Sequence, residues 1–210
     1  MSKKLDLILG MLFAAATVIF ITVFLTNDIF FSWAFERHHN ILSWYIRPLF
    51  IIPIVIFAFK KSLTGIFVSI FALFTSMFWF PVPAESSPEV LSFLSYEMEY
   101  LKGAWTTPKI LMSLLVPIFF VMLIIAAWKR SWKWLLGVVI GAAVLKVLWS
   151  VIFSGEAGLS ILKPAIMGVI ICVGGLYFYL RKRRAKGSVN KAEGEKMKKE
   201  VENFKEDHFI

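Results

Sequence analysis

Six runs of apolar residues, each about as long as a bilayer crossing, set the tightest limit on how this chain can fold. A helix needs roughly 20 mostly apolar residues to cross a hydrocarbon core about 30 Å thick. The hydrophobic content of 59% and the mean hydropathy of +0.75 lie above the usual range for soluble domains. The sequence therefore predicts an all-α, polytopic membrane protein with six transmembrane helices. These helices are expected at approximately 5–26, 41–59, 63–80, 110–128, 134–153 and 159–180.

Basic residues cluster at every second boundary between these helices. Cytoplasmic loops of membrane proteins carry an excess of Lys and Arg, so both termini are predicted to be cytoplasmic. This placement makes the lipid bilayer, and not nucleic acid, the expected partner for the net charge of +9. The expected location is the cytoplasmic (inner) membrane of a bacterium-like cell. The clusters are Lys3 and Lys4; Lys60 and Lys61; Lys129, Arg130 and Lys133; and Arg181, Lys182, Arg183, Arg184 and Lys186.

Residues 1–186 hold these helices and are predicted to form one transmembrane domain. The first run begins like a secretory signal, but it is longer than a signal core and no small-x-small cleavage motif follows it, so a retained helix is expected. Residues 187–210 are rich in Lys and Glu, which predicts a charged cytoplasmic tail that is disordered or partly helical. The single cysteine, Cys172, excludes an intrachain disulfide and a cysteine metal cluster.

The longest predicted outer loop, residues 81–108, contains the pattern of a short helix between the third and fourth spans. Ser86 and Glu89 have the capping-box spacing, and Pro88 suits a first helical turn. We expect an amphipathic helix that either anchors in the outer membrane face or lies as a lid over the mouth of the bundle. Its apolar stripe is predicted to comprise Val90, Leu94, Met98 and Leu101.

Residues 48–62 are echoed by residues 117–131 at a constant offset. Both segments begin with proline and end with two basic residues and a serine. Apolar helices match one another easily by chance, so a true repeat and a coincidence both stay open. A true repeat would relate the second and third helices to the fourth and fifth by an axis along the membrane normal.

The stretch from Glu36 to Ser62 brings several ionisable side chains directly into an apolar segment. Steps of four and three residues return to the same side of a helix, so a continuous helix here would have one polar face. The alternative is an interfacial turn followed by a helix that begins only near Ile41, which leaves Glu36 to His39 in water. The polar face of the continuous helix would carry Glu36, Asn40, Ser43 and Arg47, with His39 at its border.

Lys146 is the clearest ionisable residue inside a span, at a depth of about 10 Å from the outer end of the fifth helix. Helical side chains tilt toward the N-terminus, and this helix runs outward, so the ammonium is aimed away from the nearer surface. It therefore needs a partner or a wet pocket. Ser150 lies one turn on and shares its face. A structural ion pair and a binding site would both meet this need.

Arg47 and Lys163 lie in the outer turns of inward-running helices, where the positive end of the helix dipole disfavours a cation. Together with Lys146, they are expected to require anions. Those anions are either carboxylates of this chain or an anionic ligand that enters from outside. The candidate carboxylates are Glu36, Glu97, Glu99 and Glu156.

Glu36, His38 and His39 are the candidates for acid–base chemistry or for a metal site near the membrane surface. Adjacent histidines point to different sides of a helix, and the sequence contains no H-E-x-x-H pair, G-x-S-x-G elbow or phosphate-binding P-loop. The spacing does not indicate a particular metal, and neither a bound metal nor a cofactor is predicted.

Three functions stay open at this level. The leading one is the binding or transport of a small anionic solute or lipid head group in an outward-facing polar pocket, for which a homo-dimer is a natural assembly. The second is a membrane-embedded enzyme acting on a lipid or isoprenoid substrate, and the third is an accessory or structural membrane subunit. The predicted ligand-binding residues are Glu36, Asn40, Ser43, Arg47, Lys146, Ser150 and Lys163.

Overall fold

The computed structural model describes residues 2–179, 181, 193–195 and 197, and all regular structure within them is helical. The chain divides into two compact units, Met1–Cys172 and Val173–Ile210. The predicted tail at 187–210 lies almost wholly outside the described residues. The helices are α1 (Lys3–Thr26), α2 (Asp28–His38), α3 (Leu42–Leu49), α4 (Ile51–Phe59), α5 (Leu63–Thr75), α6 (Pro88–Lys102), α7 (Thr107–Trp128), α8 (Trp132–Ser154) and α9 (162–179), with short 3-10 helices at Ser76–Phe78 and Gly155–Ile161.

Within the described residues, four helical segments are long and apolar enough to cross a membrane. The predicted all-helical class and its apolar, membrane-type helices are thus confirmed, whereas six separate spans are not. Two differences account for the lower number. In place of the third predicted span, 63–80, the structure has a shorter apolar helix, Leu63–Phe78, and the last two predicted spans lie in one segment of 48 residues. The four segments are Lys3–Thr26, Leu42–Phe59, Thr107–Trp128 and Trp132–Tyr179.

Pro48 and Pro53 divide the second predicted span into α3 and α4. Proline has no amide hydrogen, and its ring clashes with the carbonyl four residues earlier. The hydrogen-bond pattern changes at this point, because the Phe50 amide donates to the Arg47 carbonyl at 3.2 Å, three residues back. The short helix α3, with the polar residues Ser43 and Arg47, is therefore a separate segment from the apolar α4.

A separate helix, α2, precedes this span. The Asn27 side chain accepts a hydrogen bond from a backbone amide and begins α2, which ends at His38. Since α3 begins only at Leu42, the prediction of one continuous helix from Glu36 to Arg47 is wrong. The alternative is confirmed in that a helix begins beside Ile41 and Glu36 is exposed, but Glu36 lies in α2 and His38 is buried. The turn between α2 and α3 removes the single polar face that the sequence predicted.

Helices α1 and α5 run side by side in the same direction. Asp6 accepts a hydrogen bond from the Leu63 amide at 2.9 Å in the first turn of α5, and Phe20 packs against Phe78 just beyond its end. A Cβ atom at Gly10 would lie 2.8 Å from the Leu63 Cβ, so only glycine permits this close approach. The basic residues that begin α1 and those that precede α5 therefore lie at the same end of the pair.

The turn between α4 and α5 has the same geometry as the turn between α7 and α8. Lys61 and Arg130 both adopt left-handed backbone conformations, with φ of 56° and 53°. The amide of the serine that follows, Ser62 or Ser131, donates to a carbonyl five residues earlier at 3.0 or 3.1 Å. Both helices thus end in a Schellman-type turn. The two segments of the predicted repeat share this ending, and their common origin stays a prediction.

The predicted helix in the loop after the third span is α6. Its first turn is capped by Ser87 and not by Ser86, since the Val90 amide donates to the Ser87 hydroxyl at 3.4 Å. Pro88 occupies the first turn, as predicted. The inner face of α6 belongs to a buried apolar cluster that also includes α1, α2, α3 and both 3-10 helices. Its buried members are Phe24, Phe31, Ala34, Phe35, Trp44, Met77, Val90, Phe93, Leu94 and Ile161.

Candidate functional site

Helix α6 buries most of the apolar stripe that the sequence predicts, including Val90 and Leu94, with Leu101 packed against the same cluster. Val90, Phe93 and Leu94 are buried, whereas Met98, which belongs to the predicted stripe, is 39% exposed. The buried stripe is therefore rotated toward Phe93. Glu97 lies one turn beyond Phe93, and residues four apart share a side of a helix, so this carboxylate faces the rest of the protein.

Glu97 connects α6 to two other helices through its two carboxylate oxygens. Oε2 lies 3.5 Å from Nε2 of His38 at the end of α2, and Oε1 lies 3.6 Å from Nζ of Lys146 in α8. Arg47 of α3 completes the group, because its Nη1 lies 3.3 Å from the same His38 Nε2 atom. We call His38, Arg47, Glu97 and Lys146 the His38–Glu97 cluster. Four helices each contribute one ionisable side chain to it.

His38 is the buried centre of this cluster, with 3% of its surface exposed. Its Nδ1 atom lies 2.9 Å from the Ser43 hydroxyl, and its backbone carbonyl accepts a hydrogen bond from the Trp44 indole at 3.0 Å. Trp44 also packs against Phe93 of α6, with ring centroids 5.3 Å apart. Polar and apolar contacts from α3 and α6 therefore fix the imidazole in position.

The His38 imidazole is neutral near pH 7. Burial, followed by the positive charge of Arg47, lowers the pKa of His38 to about 4 in spite of the nearby carboxylate. A neutral imidazole has only one N–H. When Nδ1 carries the proton, Nε2 accepts from Arg47; when Nε2 carries it, the ring donates to Glu97. The Ser43 hydroxyl can serve either tautomer, so the ring engages Arg47 or Glu97, but not both at once.

Glu97 is the negative charge of the cluster. Its side chain is 25% exposed. Burial alone would raise the pKa of the Glu97 carboxyl, but the charge of Lys146, and then the His38 hydrogen bond and the charge of Arg47, hold this pKa well below its usual range. Glu97 is therefore ionised at neutral pH. It is held there by groups on three other helices and not by backbone amides.

Arg47 is the cation of the cluster that has no ion pair within the described part of the chain. Its contact with His38 is the one hydrogen bond that its guanidinium makes to a described residue. No carboxylate oxygen of the described residues lies within 4.0 Å of it. A guanidinium has five N–H donors in a planar fork. At least four donors of this partly exposed side chain thus have no hydrogen bond to the described part of the chain.

Lys146 is the cation for which the sequence predicts a partner or a wet pocket, and its partner is Glu97. The Lys146 side chain remains 54% exposed, and its Nζ lies 5.8 Å from the centre of the Phe93 ring. Ser150, on the same face of α8, is 2% exposed, and its hydroxyl has no hydrogen-bond partner among the described residues. The ion pair is therefore open on one side and shares its helix face with an unsatisfied polar group.

The remaining predicted site residues lie outside the cluster. Glu36 and Lys163 are exposed, and neither carboxylate nor ammonium makes an ion pair with a described residue. Asn40 donates through Nδ2 to the Pro81 carbonyl at 3.1 Å, which ties the turn after α2 to the loop before α6. His39 is half-buried in that turn and does not join His38. His39 and Asn40 lie in the turn between α2 and α3, whereas Lys163 lies in α9.

The sequence identifies Glu97 only as one of four possible counter-ions, and it identifies His38 only as a candidate for acid–base chemistry or a metal. Glu97 follows Val90 by seven residues, so the predicted apolar stripe already indicates that this carboxylate lies on the buried side of α6. No group of three or more His, Cys, Asp or Glu residues in the described ranges could hold a metal ion. The Glu/His metal site therefore has no support from the described residues.

Neither protein-family models, nor curated proteins, nor solved structures gave a match to this chain. The chemistry of the cluster is therefore the basis for an argument about function. It combines two cations, one carboxylate and a neutral imidazole, with one of the cations lacking a carboxylate within ion-pair distance. Such a group can accept an anion, or it can serve as an internal network that joins four helices.

Proposed function

We propose that this chain is an integral protein of the cytoplasmic membrane that binds, or binds and transports, a small anionic solute or a lipid head group at the His38–Glu97 cluster. The proposed arrangement has six spans with both termini in the cytoplasm and the cluster on the opposite side. Arg47 is the main ligand-binding residue, Lys146 is the second cation, and Ser43 and Ser150 are the neighbouring hydroxyls. Lys163, Asn40 and Glu36 are not part of this site.

The proposed topology draws support from two features. The starts of α1 and α5 meet at Asp6 and Leu63, so Lys3, Lys4, Lys60 and Lys61 lie at one end of the bundle, as the positive-inside pattern requires. The 48-residue apolar segment is interrupted at Gly155, whose φ of 54° ends α8 and lets the chain change direction. Two crossings by that segment would give the predicted number of spans.

The ligand proposal rests on the unmatched charge and the unused hydrogen-bond donors of Arg47. An arginine in an apolar span is costly unless its charge is matched and its donors are satisfied. Here the nearest ionisable contact is a neutral imidazole, which accepts at most one hydrogen bond from the guanidinium. A phosphate or carboxylate group fits the planar fork with two parallel hydrogen bonds. Arg47 is therefore arranged as one half of a bidentate pair.

A binding measurement with Arg47→Gln tests this function. The full-length protein in maltoside detergent, which contains no phosphorus, is titrated with dimethyl phosphate and followed by ³¹P NMR line broadening. We expect the substitution to weaken binding by about tenfold or more, because a charged hydrogen-bonding partner is lost. Arg37→Gln is the matched control, since the Arg37 guanidinium stacks on Trp33 at 4.1 Å, outside the cluster.

Equal binding by the wild type and Arg47→Gln would contradict the proposal. So would the absence of binding by the wild type, if carboxylate ligands such as acetate and succinate also fail to bind. Weaker binding by Arg37→Gln to the same degree would show that only the general positive charge of the surface attracts the anion.

The contact between Glu97 and Lys146 favours a second function, that of an accessory or structural membrane subunit. In that case the ion pair serves only to hold α6 against α8, as an internal network does. Exchange of the two charges in a Glu97→Lys/Lys146→Glu variant would then leave stability and assembly unchanged. Under the anion-binding proposal the same exchange keeps the net charge of the cluster but places a cation beside His38, close to Arg47, so the affinity for anions changes. An enzymatic role stays a third hypothesis, in which only His38 of the predicted residues lies beside a carboxylate.

A further inference from the structure

We propose that Glu97 sets the net charge of the binding site to +1 and thereby selects ligands that carry a single negative charge, such as a phosphodiester, over dianions such as a phosphate monoester. This inference rests on the proposed function, because it assigns a ligand class to the same site. It makes Glu97 the specificity-determining residue of the cluster.

The charge of the site follows from four side chains. Arg47 is permanently cationic, and the Lys146 ammonium forms an ion pair with Glu97 at 3.6 Å. His38 contributes no charge at neutral pH, because it is buried against a guanidinium. The sum is therefore two positive charges and one negative charge. Arg47 is the group whose charge is not matched at ion-pair distance.

A low-dielectric environment makes this sum decisive. Arg47 and Glu97 are only partly exposed, so water screens the charges between them less than it screens the charges of surface side chains. A monoanion bound at Arg47 brings the cluster to neutrality. A dianion would leave one negative charge in excess, directly beside the Glu97 carboxylate. Repulsion from Glu97 therefore disfavours a ligand with two negative charges, whereas Arg47 compensates the charge of a ligand with one.

The position of Glu97 explains why it would remain in place when a ligand binds. Its two oxygens are used by different partners, His38 Nε2 and Lys146 Nζ, so the carboxylate bridges α2 and α8. A ligand that occupies the Arg47 fork leaves Nε2 of the imidazole free to donate to Glu97. Binding would therefore favour one of the two His38 tautomers and strengthen the contact with Glu97, without requiring movement of α6.

A phosphodiester has two non-bridging oxygens that share one negative charge. Both can accept hydrogen bonds from the guanidinium fork of Arg47. The unsatisfied Ser150 hydroxyl lies on the helix face that carries Lys146, and it is a further donor for an oxygen of the ligand. A phosphodiester can come from a phospholipid head group or from a soluble molecule. The chemistry at phosphorus is the same in both.

The test compares a monoanion with a dianion on wild-type protein and on Glu97→Gln. Dimethyl phosphate is a monoanion, and methyl phosphate is a dianion at pH 8, because its second pKa is about 6. Full-length protein in maltoside is titrated with each and followed by ³¹P NMR. We expect the wild type to bind the monoanion about tenfold more tightly. In Glu97→Gln the site charge becomes +2, and we expect this preference to disappear or reverse.

Glu99→Gln is the matched control, because Glu99 is exposed on the same helix and its loss changes the total charge equally. Lys146→Gln is a second variant that covers the case in which Glu97→Gln does not fold. It lowers the site charge to zero, so affinity for the dianion should fall more than affinity for the monoanion. The reverse order would overturn the proposal, as would an unchanged preference in Glu97→Gln.

A separate experiment distinguishes a phospholipid head group from a soluble phosphodiester as the ligand. Native mass spectrometry of protein delipidated and then supplied with phosphatidylglycerol or phosphatidate reports whether a lipid monoanion is retained in preference to a lipid dianion. Retention of neither lipid, with dimethyl phosphate still bound, would assign the site to a soluble phosphodiester. If no anion binds to the wild type and Arg47→Gln behaves identically, then the proposed function itself fails, which is distinct from a failure of charge selection alone.

Discussion

Two carboxylates, Asp6 and Glu97, each connect helices that are far apart in sequence, but they are held in opposite ways. Asp6 accepts hydrogen bonds from the backbone amides of Leu63 and Thr64 at 2.9 and 3.2 Å, and from the Ser62 hydroxyl at 2.9 Å. The two contacts of Glu97 are longer, at 3.5 and 3.6 Å, and both are to ionisable side chains.

The difference distinguishes a carboxylate held by backbone amides from a carboxylate held by flexible side chains. The donors around Asp6 belong to the first turn of α5, where unpaired amides and the helix dipole favour a carboxylate. These donors cannot move without unfolding the helix. The donors around Glu97 are the ends of flexible side chains, and one neighbouring cation has unused donors. We infer that Asp6 is structural and that Glu97 belongs to a binding site.

The largest effect that we expect is a pH dependence at the His38 end. The pKa of His38 is about 4 in the folded protein, against about 6.5 for an ordinary histidine, so the unfolded chain takes up a proton first as pH falls. The stability due to neutral His38 is complete above pH 6.5 and is lost between pH 6.5 and 4. We expect a loss of about 2 kcal/mol at pH 5 relative to pH 7.5.

Equilibrium unfolding in mixed micelles at the two pH values measures this loss. His38→Gln should show a smaller pH dependence, because it removes the titrating group and keeps a polar side chain, whereas His39→Gln should behave like the wild type. The same pH dependence in His38→Gln and the wild type would mean that the neutral imidazole is not the cause.

The second effect concerns the carboxylate held by backbone amides. Asp6→Ala leaves three donors at the start of α5 without their acceptor, and we expect the melting temperature to fall by about 5 °C. Anion affinity should stay at the wild-type value, since Asp6 lies at the opposite end of α1 from α2. A melting temperature within 1 °C of the wild type would remove the distinction between the two carboxylates.

A third and smaller effect on stability is expected for Glu97→Gln. The Lys146 side chain is 54% exposed, so solvent screens the lost ion pair, and the cost should be about 1 kcal/mol or less. Its effect should appear in ligand preference instead. A loss as large as that of Asp6→Ala, measured in the same thermal scans, would indicate that Glu97 is structural and would favour the accessory-subunit function.

The smallest effect is expected for Asp28→Asn. Asp28 pairs with Lys102 at 2.6 Å and ties α2 to the end of α6, but its side chain is 89% exposed. Exposed ion pairs contribute little, so the change in unfolding free energy should be about 0.5 kcal/mol or less. A larger loss would show that the packing of α2 and α6 depends more on this surface ion pair than on the buried apolar cluster.

Apolar length and the position of basic residues were enough to predict the helical class and the existence of α6. The buried face of α6 was largely predictable, because Val90 and Leu94 of the expected stripe are both buried. Glu97 follows Val90 by seven residues and therefore lies on the same side of the helix. The requirement of Lys146 for a partner followed from local geometry, whereas the partner's identity depended on how α6 packs.

The contact of Asp6 with α5 was not predicted, because a single carboxylate near the end of an apolar span does not change the prediction of the span. The sequence did contain an indication of this contact. Ser62 precedes an apolar helix and is a typical capping residue, and the inner ends of neighbouring spans lie close together. The helix α2 was missed because its aromatic residues are also typical of interfacial anchors. In both cases the deciding contact joins segments that are distant in sequence.

The most direct test of the account is a distance between Arg47 and a bound phosphorus atom. Solid-state NMR on protein with ¹⁵N-labelled arginine, saturated with a phosphodiester, measures the dipolar coupling between ³¹P and the guanidinium nitrogens, with Arg47→Gln as the assignment control. We predict a coupling that corresponds to about 4 Å and that disappears in the variant, as for a bidentate arginine–phosphate pair. A bound phosphodiester whose spectrum has no coupling to Arg47, or keeps the same coupling in Arg47→Gln, would contradict the account.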